Sequence, residues 1–166
     1  MRDWYNDDNV ESIDSLCDSF GIELSETQYI NSDMTRDIFK EAKADLGLSL
    51  GNGYIAKSVF SIPRYGMVNI HTEILPQFQG AQSIIWPIYE GVKETGFTIH
   101  QIDDKIDTGD ILFQERYPIL FCSTLQGTVE KNIMTAREKI PGVFSYVCQN
   151  YVSLKAEAIS QKNGKS

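Results

Sequence analysis

The sequence predicts an α/β fold with a largely parallel sheet, because short apolar strands alternate with amphipathic helical segments along its 166 residues. The strands are predicted over residues 46–50, 67–71, 96–102 and 113–119. A hydrophobic content of 42% over this length is sufficient for one ordinary domain with a sizeable core.

Helices are predicted where apolar residues recur at intervals of three or four. Residues 10–20 form one such segment, with helix-capping residues at positions 6–9 and Gly21 at its end. A second segment, over residues 33–42, is capped by Asp33.

Two prolines mark expected interruptions of helices. Pro87 should kink the helical segment around it, and Pro141 should split the late helix that Ser123 caps. Residues 161–166 form a polar tail, so we expect the domain to span residues 1–160.

The composition restricts the classes of partner. The formal net charge is −8, with 23 acidic and 15 basic residues, and the basic residues form no stripe that would follow a nucleic acid backbone. No run of about eighteen apolar residues is present to span a membrane, and the first residues lack the features of a secretory signal. The three cysteines fit reduced thiols rather than disulfides or a zinc site: Cys17, Cys122 and Cys148. We therefore expect a cytoplasmic protein with neither a nucleic acid nor a membrane as partner.

A polar pair ends the strand predicted over Met67–His71. Because side chains alternate along a strand, Asn69 and His71 share one face, and Val68 and Ile70 lie on the buried one. Ligands of open α/β sheets bind beyond the carboxyl ends of strands, so this position favours a site. The alternative is a buried histidine that is hydrogen-bonded to a backbone carbonyl.

An acidic loop follows the strand predicted over residues 96–102. Its sequence is Asp103-Asp104-Lys105-Ile106-Asp107-Thr108-Gly109-Asp110. The pattern is not that of an EF-hand, because Lys105 and Thr108 stand at the third and sixth positions. The loop is either a solvated turn or the source of a carboxylate that orients a histidine and raises its pKa.

Two other features are assigned no chemistry. Gly47-Leu48-Ser49-Leu50-Gly51 matches the pattern of a serine hydrolase elbow, but it lies within a predicted strand instead of between a strand and a helix. His100 has no partner that the sequence identifies, so we interpret it as structural.

Four ordered segments carry a family resemblance. They are Asn69-Ile70-His71, Leu75-Pro76-Gln77-Phe78-Gln79-Gly80, Glu94-Thr95-Gly96-Phe97-Thr98-Ile99-His100 and Ile106-Asp107-Thr108-Gly109-Asp110-Ile111-Leu112. Together they resemble the folate-dependent formyltransferases, a family that includes methionyl-tRNA, glycinamide ribonucleotide and sugar N-formyltransferases. The interval from Asn69 to Asp107, 107 − 69 = 38 residues, is also the usual one in that family. The resemblance implies a three-layer, Rossmann-like domain.

The resemblance implies roles for three residues and a cofactor. Asn69 would hydrogen-bond the formyl oxygen as it gains charge, and His71 would stabilise that charge or relay a proton. Asp107 would hold a water molecule or the imidazole and assist proton removal from the attacking amine. The formyl donor would be N10-formyltetrahydrofolate, and no metal is required. Its pterin ring would bind at Gly51, Asn52, Gly53, Tyr54, Ile55, Gln101, Ile102 and Asp103.

The sequence also departs from the family pattern. The opening strand–helix unit of the family is missing, so we expect an N-terminally shortened sheet whose edge is exposed or paired in a homodimer. Thr72-Glu73 replaces the frequent Pro-Ser after the histidine, and Asn52-Gly53-Tyr54 differs from the loop of the tRNA enzymes.

The resemblance predicts transfer of a formyl group to a primary amine, and we favour an amino sugar nucleotide as its acceptor. Two alternatives stay open. One is a hydrolase that releases formate from the same cofactor, and the other is a truncated, non-catalytic relative that binds folate or a partner chain.

Overall fold

The computed structural model describes residues 11–81 and 84–161. Its sheet contains four strands: β1 (Gly47–Ser49), β2 (Met67–His71), β3 (Glu94–Gln101) and β4 (Ile111–Pro118). They lie side by side in the order β1-β2-β3-β4. The predicted bounds of β2 are reproduced, and the other three strands lie within a few residues of their predicted positions.

Six helices accompany these strands in the described part of the chain. They are α1 (Ile13–Phe20), α2 (Asp33–Ala42), α3 (Lys57–Phe60), α4 (Ile85–Tyr89), α5 (Leu125–Gln149) and α6 (Tyr151–Ala156). At the starts of α1, α2 and α5, the side-chain hydroxyls of Ser12, Ser32 and Thr124 each accept a hydrogen bond from a backbone N–H three residues later. Gly21 ends α1, as predicted, and it adopts the left-handed conformation.

Apolar residues are buried on both faces of the sheet, so the three-layer α/β class is confirmed. One cluster joins Val68 and Phe97 to Val147 of α5 and Tyr151 of α6. On the opposite face, Met67 packs with a second, smaller cluster: Ile55, Val59, Ile30, Phe39, Phe60 and Ile102.

The strand directions differ from the prediction of a largely parallel sheet. Only the β1–β2 pair is parallel, whereas β2–β3 and β3–β4 are antiparallel. A parallel pair needs a crossover connection, usually a helix, but β3 and β4 are joined by the short acidic loop of residues 102–110. The sheet is therefore mixed.

The helix boundaries correct four further predictions. Pro141 lies inside α5 without splitting it, because Ile140 and Val143 on either side of it pack against the core. Pro87 lies in the first turn of α4, where a helix needs no N–H from it. Thr124 caps α5 instead of Ser123, and Ser32 caps α2 instead of Asp33. The predicted caps at positions 6–9 lie outside the described residues.

Candidate active site

A cavity of about 820 Å³ opens at the carboxyl end of β2. Its lining includes the segment 49–55, the end of β2 with the residues that follow it, residues of β3 and β4, the loop 102–107 and the middle of α5. This volume lies within the range of about 300–1,000 Å³ that is usual for small-molecule sites.

The three residues predicted to act together meet in this cavity. Asn69 Nδ2 lies 3.4 Å from Asp107 Oδ1, and His71 Nδ1 lies 3.5 Å from Asp107 Oδ2. Asp107 Oδ2 also accepts a 3.0 Å hydrogen bond from the backbone N–H of Gly80. One carboxylate therefore contacts both the amide and the imidazole.

The hydrogen bond of His71 fixes the position of its proton. Its Nε2 lies 2.6 Å from the carbonyl oxygen of Phe78, and since a carbonyl only accepts, Nε2 carries the hydrogen. In the neutral ring, Nδ1 then directs a lone pair towards Asp107. Burial lowers the pKa of His71, although the Asp107 carboxylate and the Phe78 carbonyl act in the opposite direction. His71 is thus a neutral base whose accepting nitrogen faces a carboxylate.

The backbone conformation of the loop that carries Asp107 positions its carboxylate in the cavity. Asp107 has a φ of 53°, a left-handed conformation that Asp adopts more readily than most residues. The side chain of Gln79 donates to the carbonyl of Asp107 at 3.1 Å. A Cβ on Gly109 would lie 1.9 Å from the carbonyl oxygen of Gln101, so only glycine fits there.

Asp107 is ionised at neutral pH. Burial raises the pKa of its carboxyl, but a hydrogen bond with His100, the positive charge of the His71 and His100 rings when they are protonated, and the N–H of Gly80 lower it by more. The net result is a pKa below the ordinary value for Asp.

His100 is part of the site, which corrects its interpretation as a purely structural residue. Its Nδ1 donates to the carbonyl of Gln101 at 2.8 Å, and its Nε2 lies 3.2 Å from Asn69 Nδ2, which can only donate. The same Nε2 lies 3.5 Å from Asp107 Oδ1. Asn69 and His100 are direct partners across the antiparallel β2–β3 pair, a relationship that the parallel prediction could not reveal.

Most of the residues predicted for the pterin ring line the same cavity: Gly51, Asn52, Gly53, Tyr54, Ile55, Ile102 and Asp103. Gln101 does not, because its side chain donates to the hydroxyl of Tyr151. The side chain of Ile55 belongs to the core, whereas Tyr54 is half-exposed.

Asn31 positions the segment that carries Tyr54, although sequence reasoning did not identify it. Its Nδ2 donates to the carbonyl of Tyr54 at 3.0 Å, and its Oδ1 accepts from the N–H of Ala56 at 2.7 Å. No local motif indicates this contact, since 23 positions separate Asn31 from Tyr54.

The described residues contain neither a candidate metal site nor a candidate membrane span. Within residues 11–81 and 84–161, no three His, Cys, Asp or Glu side chains are grouped so that they could hold a metal ion. Over the same residues, no helix combines the length and apolar character needed to cross a membrane.

Comparison with known proteins identifies relatives of this chain. A curated methionyl-tRNA formyltransferase of Kosmotoga olearia is 33% identical over 122 residues, which are 73% of this chain and 39% of that protein. The chain therefore spans about two fifths of the length of this relative.

Solved structures share the fold. The phosphoribosylglycinamide formyltransferase of Streptococcus pneumoniae superposes with a TM-score of 0.65 and 24% identity, covering 79% of this chain and 77% of that one. A second structure is that of the formyltransferase PseJ of Anoxybacillus kamchatkensis in complex with UDP-4,6-dideoxy-4-formamido-L-AltNAc and tetrahydrofolate. It superposes with a TM-score of 0.62 and 24% identity, covering 94% of this chain and 80% of that one.

The family assignment rests on the sequence. The family described as formyl transferase matches residues 23–141, a stretch that includes Asn69, His71, His100 and Asp107. The chain belongs to the formyl transferase family.

Proposed function

We propose that this domain transfers a formyl group from N10-formyltetrahydrofolate to a primary amine in the cavity at the end of β2. The observation that carries the proposal is the convergence of Asn69, His71 and Asp107. Their polar atoms lie within 3.5 Å of one another along the chain of contacts amide–carboxylate–imidazole.

The amide of Asn69 is suited to stabilising charge on the formyl oxygen. When an amine adds to the formyl carbon, that oxygen becomes negative, and a positioned N–H stabilises it. Both hydrogens of Asn69 Nδ2 are directed at protein atoms, His100 Nε2 at 3.2 Å and Asp107 Oδ1 at 3.4 Å. We infer that the longer contact is exchanged for the formyl oxygen, because such bonds are often loose before the substrate binds.

The carboxylate and the imidazole are suited to removing the proton of the amine. Asp107 is ionised, and neutral His71 presents Nδ1 as an acceptor 3.5 Å away. A proton that reaches His71 Nδ1 would be stabilised by the adjacent carboxylate of Asp107. Removal of this proton lets the nitrogen keep its new bond to the formyl carbon, and transfer of a proton to the folate nitrogen lets that nitrogen leave as a neutral amine.

The folate donor fits the side of the cavity formed by residues 50–55 and 102–107. The donor supplies the formyl carbon. Exposed backbone at Gly51 and Gly53 offers the planar pterin hydrogen-bonding groups without side chains in the way, and Tyr54 and Ile102 provide apolar contact. Asn31 keeps this segment in place.

An amino sugar nucleotide is the acceptor that we favour. The solved structure of PseJ, which has this fold, is a complex with a UDP-linked formamido sugar. The formal net charge of −8 disfavours a long polyanion more than a compact nucleotide, since phosphate contacts add with the length of the nucleic acid.

Methionyl-tRNA is the second candidate, because the curated relative from Kosmotoga olearia is named for it. In that case the basic surface that a tRNA needs would come from outside this acidic domain.

The proposal is tested by incubating the protein with formyltetrahydrofolate that carries a ¹³C-formyl group. Separate reactions contain UDP-linked amino sugars or methionyl-tRNA, and mass spectrometry detects a gain of one labelled formyl group. Transfer to either amine supports formyl transfer and identifies its class. Labelled formate as the only product would indicate a hydrolase, and an unchanged donor in every reaction would contradict the proposal.

A further inference from the structure

Glu73 is a buried carboxyl whose hydrogen bonding is half satisfied. Its side chain is 1% exposed. Oε1 accepts a 2.7 Å hydrogen bond from Thr95 Oγ1, whereas Oε2 is buried and has no partner. Such atoms are rare in folded proteins, since an unpaired buried polar group costs stability.

The surroundings of Glu73 supply little to offset this cost. Burial raises the pKa of Glu73 to about 7, although hydrogen bonds from Thr95 and from the backbone N–H of Ile74 act to lower it. The hydroxyl of Tyr117 is close enough for Glu73 to help raise its pKa to about 12. Yet this hydroxyl donates to the carbonyl of Asn132 and not to Glu73.

Glu73 lines the same cavity as the residues of the candidate active site, two positions after His71. Its interactions with Thr95 and Tyr117 place it on the side of the sheet that α5 covers. Ala136 and Ile140 of α5 line the cavity on that side. The pterin segment of residues 51–55 lies on the other side of β2, since Ile55 packs there with Met67. Glu73 therefore faces the part of the cavity away from the proposed cofactor.

We propose that Oε2 of Glu73 accepts a hydrogen bond from an N–H or O–H group of the formyl acceptor, which makes Glu73 a specificity-determining residue. This inference rests on the proposed function, because it assigns the acceptor to the side of the cavity that the cofactor leaves free. The bound acceptor supplies the hydrogen-bond partner that Oε2 lacks.

The chemistry of this wall limits the group that binds there. A carboxylate repels a phosphate or carboxyl group, so the contacting part of the acceptor bears hydrogen-bond donors and no negative charge. The apolar side chains of Ala136 and Ile140 suit the carbon face of a ring. A hydroxylated ring meets both conditions, whereas a plain alkyl ring satisfies only the second.

The test compares two ring amines that differ in their hydroxyl groups. Glucosamine and cyclohexylamine are titrated separately into ¹⁵N-labelled protein at a pH above about 7, where Glu73 is ionised, and NMR yields both dissociation constants. We expect glucosamine to bind about tenfold more tightly than cyclohexylamine, because a hydrogen bond to a charged group contributes about that much affinity. The amide signals of Glu73 and Thr95 should shift with glucosamine. Equal affinities, or shifts confined to other parts of the protein, would overturn the inference.

Glu73→Gln is the matched variant. Its amide keeps an oxygen for the hydroxyl of Thr95 and replaces Oε2 with a nitrogen that cannot accept. The preference for glucosamine should fall about tenfold in this variant and remain in Glu90→Gln, which changes an exposed glutamate. A preserved preference in Glu73→Gln would contradict the assignment. Titration with 5-formyltetrahydrofolate in the same samples tests the proposed function separately. If the protein does not bind this folate, the proposed function is refuted, while the comparison of glucosamine with cyclohexylamine is unaffected.

Discussion

Asn69 and Asp107 are 38 positions apart in the sequence, yet Asn69 Nδ2 lies 3.4 Å from Asp107 Oδ1. Their contact depends on two different elements, the last residues of β2 and a loop held in a left-handed turn. The carboxylate of Asp107 also contacts His71 and His100. Changes at Asp107 should therefore affect the whole group.

Asp107→Asn should lower the free energy of unfolding at neutral pH, and the loss should disappear in acid. The folded pKa of Asp107 is below its ordinary value of 3.8. Its stabilisation is therefore fully present above that value and is lost as the pH falls through the lower folded pKa. Asn tolerates the same backbone conformation. Urea unfolding between pH 3 and pH 7 measures the effect, with Asp104→Asn in the same loop as the control. A pH-independent difference would contradict this account.

Glu73→Gln should remove the loss of stability that the native protein undergoes between pH 4.5 and about 7. Burial raises the pKa of Glu73 from 4.5 to about 7, so its favourable neutral form is present below 4.5 and is lost as the pH rises through about 7. The native protein should lose up to about 3 kcal/mol of unfolding free energy over this range relative to the variant. Urea unfolding at pH 4 and pH 9 gives the comparison. An identical pH dependence in both proteins would show that Glu73 titrates normally.

Gly109→Ala should destabilise the protein, because its Cβ would meet the carbonyl oxygen of Gln101 at 1.9 Å. The loop has to move, and we expect a loss of more than about 1 kcal/mol. Gly142→Ala is the control: it lies within α5 with open space around its Cβ. There alanine should stabilise the helix by about 0.5–1 kcal/mol. Thermal unfolding compares the two, and equal changes would contradict the packing described for Gly109.

Tyr54→Ala should weaken folate binding by about three- to tenfold, the contribution of an aromatic contact. Tyr54 lines the cavity and is half-exposed, so its removal leaves the core intact. Isothermal titration with 5-formyltetrahydrofolate measures the affinity, and Tyr89→Ala, an exposed change outside the cavity, is the control. Unchanged affinity would place the pterin ring elsewhere.

The sequence predicted the positions of the strands and the meeting of Asn69, His71 and Asp107. Alternation along β2 is a local pattern, and the order and spacing of the family segments relate Asn69 to Asp107 across 38 positions. It did not predict the antiparallel pairing of β2 with β3. That pairing places His100 opposite Asn69, so the partner of His100 could not be known without the strand direction. Glu73 was a departure from the family pattern, and its burial depends on Thr95, 22 positions away.

The most direct test of the account is the turnover of Asn69→Ala relative to the native protein. The reaction is formyl transfer to whichever amine, a UDP-linked amino sugar or methionyl-tRNA, accepts the labelled formyl group. Removal of a donor to a developing oxyanion typically costs about a hundredfold to a thousandfold in turnover, or about 2.7–4 kcal/mol. We predict a loss of that size with folate affinity nearly unchanged, because the interaction forms mainly in the transition state. Full turnover in an active preparation of Asn69→Ala would contradict the role of the amide and, with it, the proposed site.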